Sequence, residues 1–455
     1  MAYIQTWNPE DEKFWAQTGK AVANRNLMIS IPALLLSFSV WMVWSAVVVY
    51  LPGIGFAFTT DQLFWLTAIP SLSGATLRIF YSFMVPIFGG RNWTAFSTAS
   101  LLLPVVGIGW AVQNPQTPYS VFLALALLCG FGSGNFASSM SNINFFFPKS
   151  RKGTALGLNA GLGNLGVSVV QFAVPLVIST SLFGGLGGTP ESFLKDGVTK
   201  SLWLQNAGFF WVPLILAVWV AAFLGMDNLA TAKASFKEQS VIFKEKHNWV
   251  MCWLYIGTFG SFIGYSAGFP LLIKTQFPGV NPLQYAFLGP LVGALIRPVG
   301  GWISDKVGGA MVTLVNFVAM GLAVLGVLHF LAIKTEPEAF NGFLASFLLL
   351  FFCAGIGNGS TFRMIPIIFL NLKSKEPGIA KDAAVKEATK ISSAVIGFSS
   401  AIGAYGGFLI PQGFRISLAK SGSAEQAMIT FLIFYATCVV LTWWFYARKG
   451  AEAPC

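Results

Sequence analysis

Gly74-Ala75-Thr76-Leu77-Arg78 and Gly293-Ala294-Leu295-Ile296-Arg297 are two versions of one stretch. Each arginine lies inside an apolar run of about two dozen residues, long enough to cross a bilayer. Each run ends in a glycine-rich polar turn, Gly89-Gly90-Arg91-Asn92 after the first and Ser304-Asp305-Lys306 with Gly308-Gly309 after the second. Arg78 precedes the expected helix end near Pro86 by eight residues, and Arg297 precedes Asp305 by eight. At ~1.5 Å per residue, each is expected roughly 12 Å inside its helix end, too deep for a relaxed arginine to snorkel to the headgroups. A cation in the hydrocarbon region is costly and marks a functional site by default. Two of them at matching places in two halves point to a site on a pseudo-symmetry axis.

The surrounding composition excludes a soluble domain. Of 455 residues, 55% are hydrophobic and only 10% charged, with mean hydropathy +0.69. Glycine (48) and phenylalanine (43) are both abundant, as in packed membrane helices. The net charge of +11 would suggest nucleic acid in a soluble protein, but here the basic residues cluster in loops beside the spans. Cys129, Cys252, Cys353, Cys438 and Cys455 are scattered without CxxC or CxxH spacing, which argues against a disulfide framework or metal site. The first 26 residues are polar with both signs of charge, so no cleavable signal peptide is expected.

Hydropathy divides the chain into twelve candidate spans. The first six are about 27–51, 62–85, 93–112, 119–146, 153–180 and 202–226; the second six are about 248–273, 283–304, 309–333, 339–370, 391–412 and 425–447. The expected organisation is a six-helix bundle over 1–226, a polar linker over 227–247 and a second bundle over 248–455. An even number of spans puts both termini on one side. Most of the 28 Lys+Arg fall on that side, including Lys149-Ser150-Arg151-Lys152, Lys233 to Lys246 and Lys373 to Lys390, so both termini are expected in the cytoplasm.

The repeat extends beyond the arginines. Gly132-Ser133-Gly134-Asn135 in span 4 corresponds to Gly355-Ile356-Gly357-Asn358 in span 10. Span 5 carries Gly157-Leu158-Asn159-Ala160-Gly161-Leu162-Gly163-Asn164-Leu165-Gly166, answered in span 11 by Gly397 and Gly403-Ala404-Tyr405-Gly406-Gly407. Gly161 to Gly166 is literally G-x-G-x-x-G, but a dinucleotide fingerprint needs a strand and a soluble βαβ unit, which a membrane-length run excludes. Gly157, Gly161, Gly403 and Gly407 are instead expected to let helix backbones approach closely. Asn164, seven residues after Gly157, shares its face and suits either an interhelical hydrogen bond or the lining of a substrate path. Phe136 and Phe362 follow the two glycine clusters, and Tyr255 and Phe259 lie one turn apart in span 7. Position alone leaves each of these rings either core or cavity-facing. Arg363, near the end of span 10, is read as reaching the interface rather than a ligand. None of the 17 Asp+Glu is expected at mid-membrane depth, so a bound anion is the natural partner of the two arginines.

At these residues the chain resembles the nitrate/nitrite porter family of the major facilitator superfamily, over nearly its whole length. Gly300-Gly301-Trp302-Ile303-Ser304-Asp305-Lys306-Val307-Gly308-Gly309 is similar to the superfamily's loop motif, with a degenerate first copy at Phe88-Gly89-Gly90-Arg91. The stretches 157–166 and 397–407 resemble the family's two nitrate signatures, with Tyr405 as added bulk in the second. The resemblance implies an all-α membrane protein of twelve helices in two pseudo-symmetric bundles. It also implies that Arg78 and Arg297 clamp the anion and that Tyr255 donates a hydrogen bond. Phe136 and Phe362 would sandwich the anion, Asn164 would line the site, and Phe38 and Phe259 would flank it. The implied function is transport of nitrate and nitrite across the cytoplasmic membrane, in nitrate assimilation; because no acidic residue is expected near the arginine pair, obligatory exchange without proton cotransport is expected, by a monomer in the lipid bilayer.

Proton-coupled nitrate symport is the nearest alternative, and an anion channel lined by cationic side chains is a further one. The repeat of six spans favours alternating access over a channel. No nucleophile–base set, metal cluster or cofactor motif supports an enzyme, and no nucleic-acid partner or cofactor is expected. Tags at residue 1, within 233–246 and at residue 455 should all report the cytoplasm in an accessibility assay; a periplasmic signal from the linker would break the six-plus-six scheme.

Overall fold

Inside a bilayer a backbone must satisfy its own polar groups, and for single apolar runs of this length only the helix does so. The computed structural model describes residues 3–195, 198–232, 240–377 and 380–455, and is helical at each expected span. Among the described residues, twelve helices are long and apolar enough to cross a membrane. The first six are Glu12–Ile54, Thr60–Tyr81, Gly90–Ala111, Tyr119–Phe146, Lys149–Val177 and Asn206–Gly225. The second six are Lys246–Gln276, Pro282–Val307, Gly309–Ala332, Ala339–Ser374, Ala383–Ser421 and Glu425–Ala447. Backbone contacts divide the chain into two compact units. One comprises Met1–Ala234, Ser266–Leu271 and Asn281–Phe287; the other comprises Ser235–Tyr265, Leu272–Val280 and Leu288–Cys455. Residues 233–239 of the basic linker, with Lys233 and Lys237, lie outside the described residues.

Several helices outrun their apolar stretch, because hydropathy locates the lipid-facing part of a helix and not its aqueous extension. Span 1 starts where the Asp11 carboxylate caps the amides of Lys13 and Phe14. Span 2 differs in the other direction. Its regular helix ends at Tyr81, and Pro86 lies within a separate short helix, Met84–Phe88. Arg78 is therefore one turn from its helix end, not two, and its burial rather than its depth removes it from the surface. Between spans 5 and 6 an antiparallel hairpin, Glu191–Lys195 with Val198–Leu202, had no counterpart in the hydropathy profile. Its Phe193 packs against Tyr50 at the end of span 1, with ring centroids 5.7 Å apart.

Within each unit a terminal segment is tied to helix ends. In the first, Ile4 exchanges backbone hydrogen bonds with Asn228 and Ala230, Tyr3 Oη donates to Phe88 O, and Glu10 accepts from the Lys149 amide. In the second, Lys246 donates to Glu452, Lys375 donates to the Glu452 carbonyl, and Asn371 donates to the Pro454 carbonyl. The hydrogen bond from Lys246 holds the Glu452 carboxyl below its ordinary pKa.

The two glycine-rich signatures each pack against the first span of their own unit, the second through Gly403 as expected and the first not through Gly157 or Gly161. A methyl at Gly157 or Gly161 meets no atom within 4 Å among the described residues, so these two do not mediate a close approach. Gly166 does: a Cβ there would stand 2.1 Å from Leu35 O and 3.0 Å from Phe38 Cβ. In the second unit a Cβ on Gly403 would stand 2.6 Å from the Tyr255 ring. Each signature thus presses its helix onto the first span of its unit. Gly166→Ala should lower stability by about 1–3 kcal/mol through overpacking against backbone, whereas Gly161→Ala should melt like the unmodified protein in detergent. Equal melting temperatures for both variants would contradict this packing.

Candidate functional site

Each unit builds a cluster of its own around its arginine. In the first, a Cβ on Gly74, one turn before Arg78, would fall 2.3 Å from Ser133 Cβ, so the bare glycine brings span 4 against span 2. Arg78 Nε donates to the Ser133 carbonyl at 3.0 Å and to its hydroxyl at 3.1 Å. The guanidinium lies 4.7 Å from the Phe136 ring centroid and 5.1 Å from that of Trp41. Two aromatic faces on one cation offset part of its lost hydration. Arg78 is 1% exposed, so snorkelling is excluded by burial. Phe38 sits behind this shell, edge-on to Phe136 at 6.0 Å. Asn164 on span 5 is 1% exposed, and neither end of its amide has a hydrogen-bond partner among the described residues. Of its two open roles, an interhelical hydrogen bond is therefore not the one the structure displays.

The second unit repeats the plan with different parts. Arg297 is 7% exposed, its guanidinium lies 5.1 Å from the Phe362 centroid, and its Nη1 has no hydrogen-bond partner among the described residues. Phe362 in turn touches Tyr255, with centroids 5.0 Å apart. Tyr255 is stacked on Phe259 at 5.4 Å with planes 17° apart. Span 7 makes this possible with a π-helical turn, Ile256–Gly260, directly after Tyr255. The Tyr255 hydroxyl donates to Asn358 Oδ1 at 2.7 Å.

Arg78, Phe136 and Phe38 thus form one continuous cluster, and Arg297, Phe362, Tyr255 and Phe259 another; Asn164 is buried but joins neither through a described hydrogen bond. Trp41, Ser133, Asn358 and the π turn were not singled out by sequence. Ser133 and Asn358 lie inside the matched glycine clusters, and Trp41 is one turn after Phe38, so their spacing carried a signal. Arg363 forms an ion pair with Asp305, both side chains about half exposed, consistent with a structural role outside either cluster.

A model described as Major Facilitator Superfamily matches residues 33–411. The chain is 54% identical over 98% of its length to the nitrate/nitrite transporter NarU of Escherichia coli (strain K12), covering 96% of that protein. It is 46% identical to the probable nitrate/nitrite antiporter NarK2 of Thermus thermophilus, covering 100% of this chain and 98% of that one. The solved structure of a D-xylose-proton symporter is similar in fold alone, with TM-score 0.66 and 14% identity over 93% of this chain and 97% of that one. The chain belongs to the nitrate/nitrite porter family of the Major Facilitator Superfamily. Membership makes it a multi-pass transporter rather than an enzyme.

Proposed function

We propose that this protein exchanges nitrate for nitrite across the cytoplasmic membrane by alternating access, working as a monomer with both termini in the cytoplasm. One anion at a time is held by Arg78 and Arg297. Tyr255 supplies a hydrogen bond, Phe136 and Phe362 form flat walls, Asn164 lines the site, and Phe38 and Phe259 support the rings. The observation that carries this reading is the pair of buried guanidiniums on corresponding spans, each against an aromatic face. The names of nitrate and nitrite transporters similar to this chain support the choice of anion. Planar walls fit a planar oxyanion, and a guanidinium fork can bind one through two hydrogen bonds.

Lysine keeps the charge but not the fork, and at Arg78 it also loses the Nε anchor to Ser133. Arg78→Lys and Arg297→Lys should therefore each weaken nitrate binding by at least about 2 kcal/mol, roughly 30-fold. Titration of the purified variants checks this, and wild-type affinity in either would remove that arginine from the site.

Exchange follows from the same charges. Were closure to bring the two arginines to about 8 Å, at an effective dielectric of 20 they would repel by roughly 2 kcal/mol. Desolvation on closure adds to that barrier, and a bound monoanion offsets both, so the loaded carrier closes and the empty one does not. Proton-coupled carriers relay protons through intramembrane carboxylates or histidines. Here Asp61, Asp305 and Glu425 lie in the first or last turns of their helices. In proteoliposomes, internal nitrite should accelerate nitrate entry, and a pH gradient alone should drive little. Robust nitrate accumulation under a proton gradient, with no exchangeable anion inside, would replace exchange by proton symport.

A further inference from the structure

Tyr255 is fully buried, and its hydroxyl donates to Asn358 Oδ1, on a residue only 2% exposed. A phenol has one proton, so a hydroxyl engaged in this way has none to give to an anion. The first unit holds the corresponding pair in the opposite sense. Asn135 Nδ2 donates to Ser37 Oγ at 2.9 Å, and Ser37 Oγ donates onward to Ala33 O at 2.7 Å. Ser37 and Tyr255 lie on the first spans of their units, and Asn135 and Asn358 each close the Gly-x-Gly-Asn cluster. In the first unit the amide feeds a hydroxyl that passes its proton on; in the second the hydroxyl feeds the amide.

We propose that Asn358 is a positioning residue for Tyr255, and that anion binding reverses this hydrogen bond. The Asn358 amide turns about its terminal bond, Nδ2 donates to the tyrosine oxygen, and the hydroxyl donates to the anion. The second unit then adopts the sense already present at Asn135 and Ser37. The inference rests on Tyr255 lying at the anion site. The two ends of an amide are nearly equal in size, so the turn needs no backbone movement. The Tyr255 ring stays in place between Phe259 and Phe362, with Gly403 against its edge, and only the O–H torsion changes. A hydroxyl that also accepts from Nδ2 is polarised into a better donor. The bound species must therefore accept a hydrogen bond strongly enough to draw the proton from an amide oxygen, which an oxyanion does. Asn358 touches the anion in neither state; it acts through Tyr255.

The test is a double-mutant cycle on nitrate affinity, measured by calorimetry on the detergent-purified full chain. Asn358→Leu keeps the branching of the side chain and removes both amide ends; Asn358→Ala serves if leucine does not fold. Either should weaken nitrate binding about five- to tenfold in the wild-type background. In the Tyr255→Phe background the same change should alter affinity less than twofold, because the hydroxyl it serves is gone. Additive losses, or wild-type affinity in both Asn358 variants, would overturn the proposal. A further readout needs no change at position 358. The tyrosine Raman doublet distinguishes a hydroxyl that only donates from one that also accepts, so nitrate should raise the ratio of its higher- to its lower-frequency band in the wild type and not in Tyr255→Phe. An unchanged doublet in a protein that binds nitrate overturns it as well. If the wild type binds no nitrate, or both arginine-to-lysine variants bind normally, the anion-site reading fails and this inference with it. If those controls hold and the cycle is additive, only the role of Asn358 falls.

Discussion

A guanidinium buried in a protein core has lost its water and must be compensated by whatever the chain can bring to it. The rest of this molecule's interior is arranged around that constraint, twice. At Arg78 the compensation comes from two ring faces and a fixed Nε on Ser133. At Arg297 it comes from Phe362. Neither set neutralises the charge. Ring quadrupoles and neutral acceptors lower the cost of the cation without removing its field, and the field remains available to an anion. A carboxylate in either place would have stabilised the empty protein at the expense of the site. The acidic residue closest in sequence to Arg297, Asp305, is instead taken up by Arg363.

Packing serves the same end. The arginine can reach the facing span only because the residue one turn earlier is glycine, which brings Ser133 to Arg78. The aromatic shell is held in turn by the glycine-rich helices behind it: Gly166 lies against Leu35 and Phe38, and Gly403 against Tyr255. The π turn after Tyr255 keeps that ring nearly parallel to Phe259 one turn on. These are backbone devices supporting side-chain positions, and they explain why glycine and phenylalanine are abundant together in one chain.

The fold was legible because hydropathy reports the property that lipid selects, and twelve apolar runs leave little else to decide. What escaped followed from the same cause. The strands Glu191–Lys195 and Val198–Leu202, the helix extension before residue 27 and the tied terminal segments fall outside the apolar runs, where hydropathy says nothing about order. The break after Tyr81 escaped because Ser82 and Phe83 carry no strong breaker, so Pro86 took the blame. At the site, charge was the readable signal: Arg78 and Arg297 stand out in any apolar run, whereas Trp41 is one aromatic among many. Gly157 and Gly161 show the limit of motif reasoning. Their spacing is that of a packing interface, yet their helix makes its close contacts through Gly163 and Gly166.

The two clusters differ in a way that the repeat in sequence conceals. Arg78 is fixed at Nε and lies against the rings of Phe136 and Trp41, whereas Arg297 lies against Phe362 and has a buried Nη1 without a partner among the described residues. A side chain fixed in advance loses little entropy on binding but fits few shapes; a less constrained one costs more to order and adapts. Nitrate is trigonal and nitrite bent, so under the proposed exchange the carrier would have to satisfy two outlines with one charge. One rigid cation and one adaptable cation would meet that requirement better than two identical ones. On that proposal the shells around the two arginines have a reason to diverge even where the arginines themselves correspond.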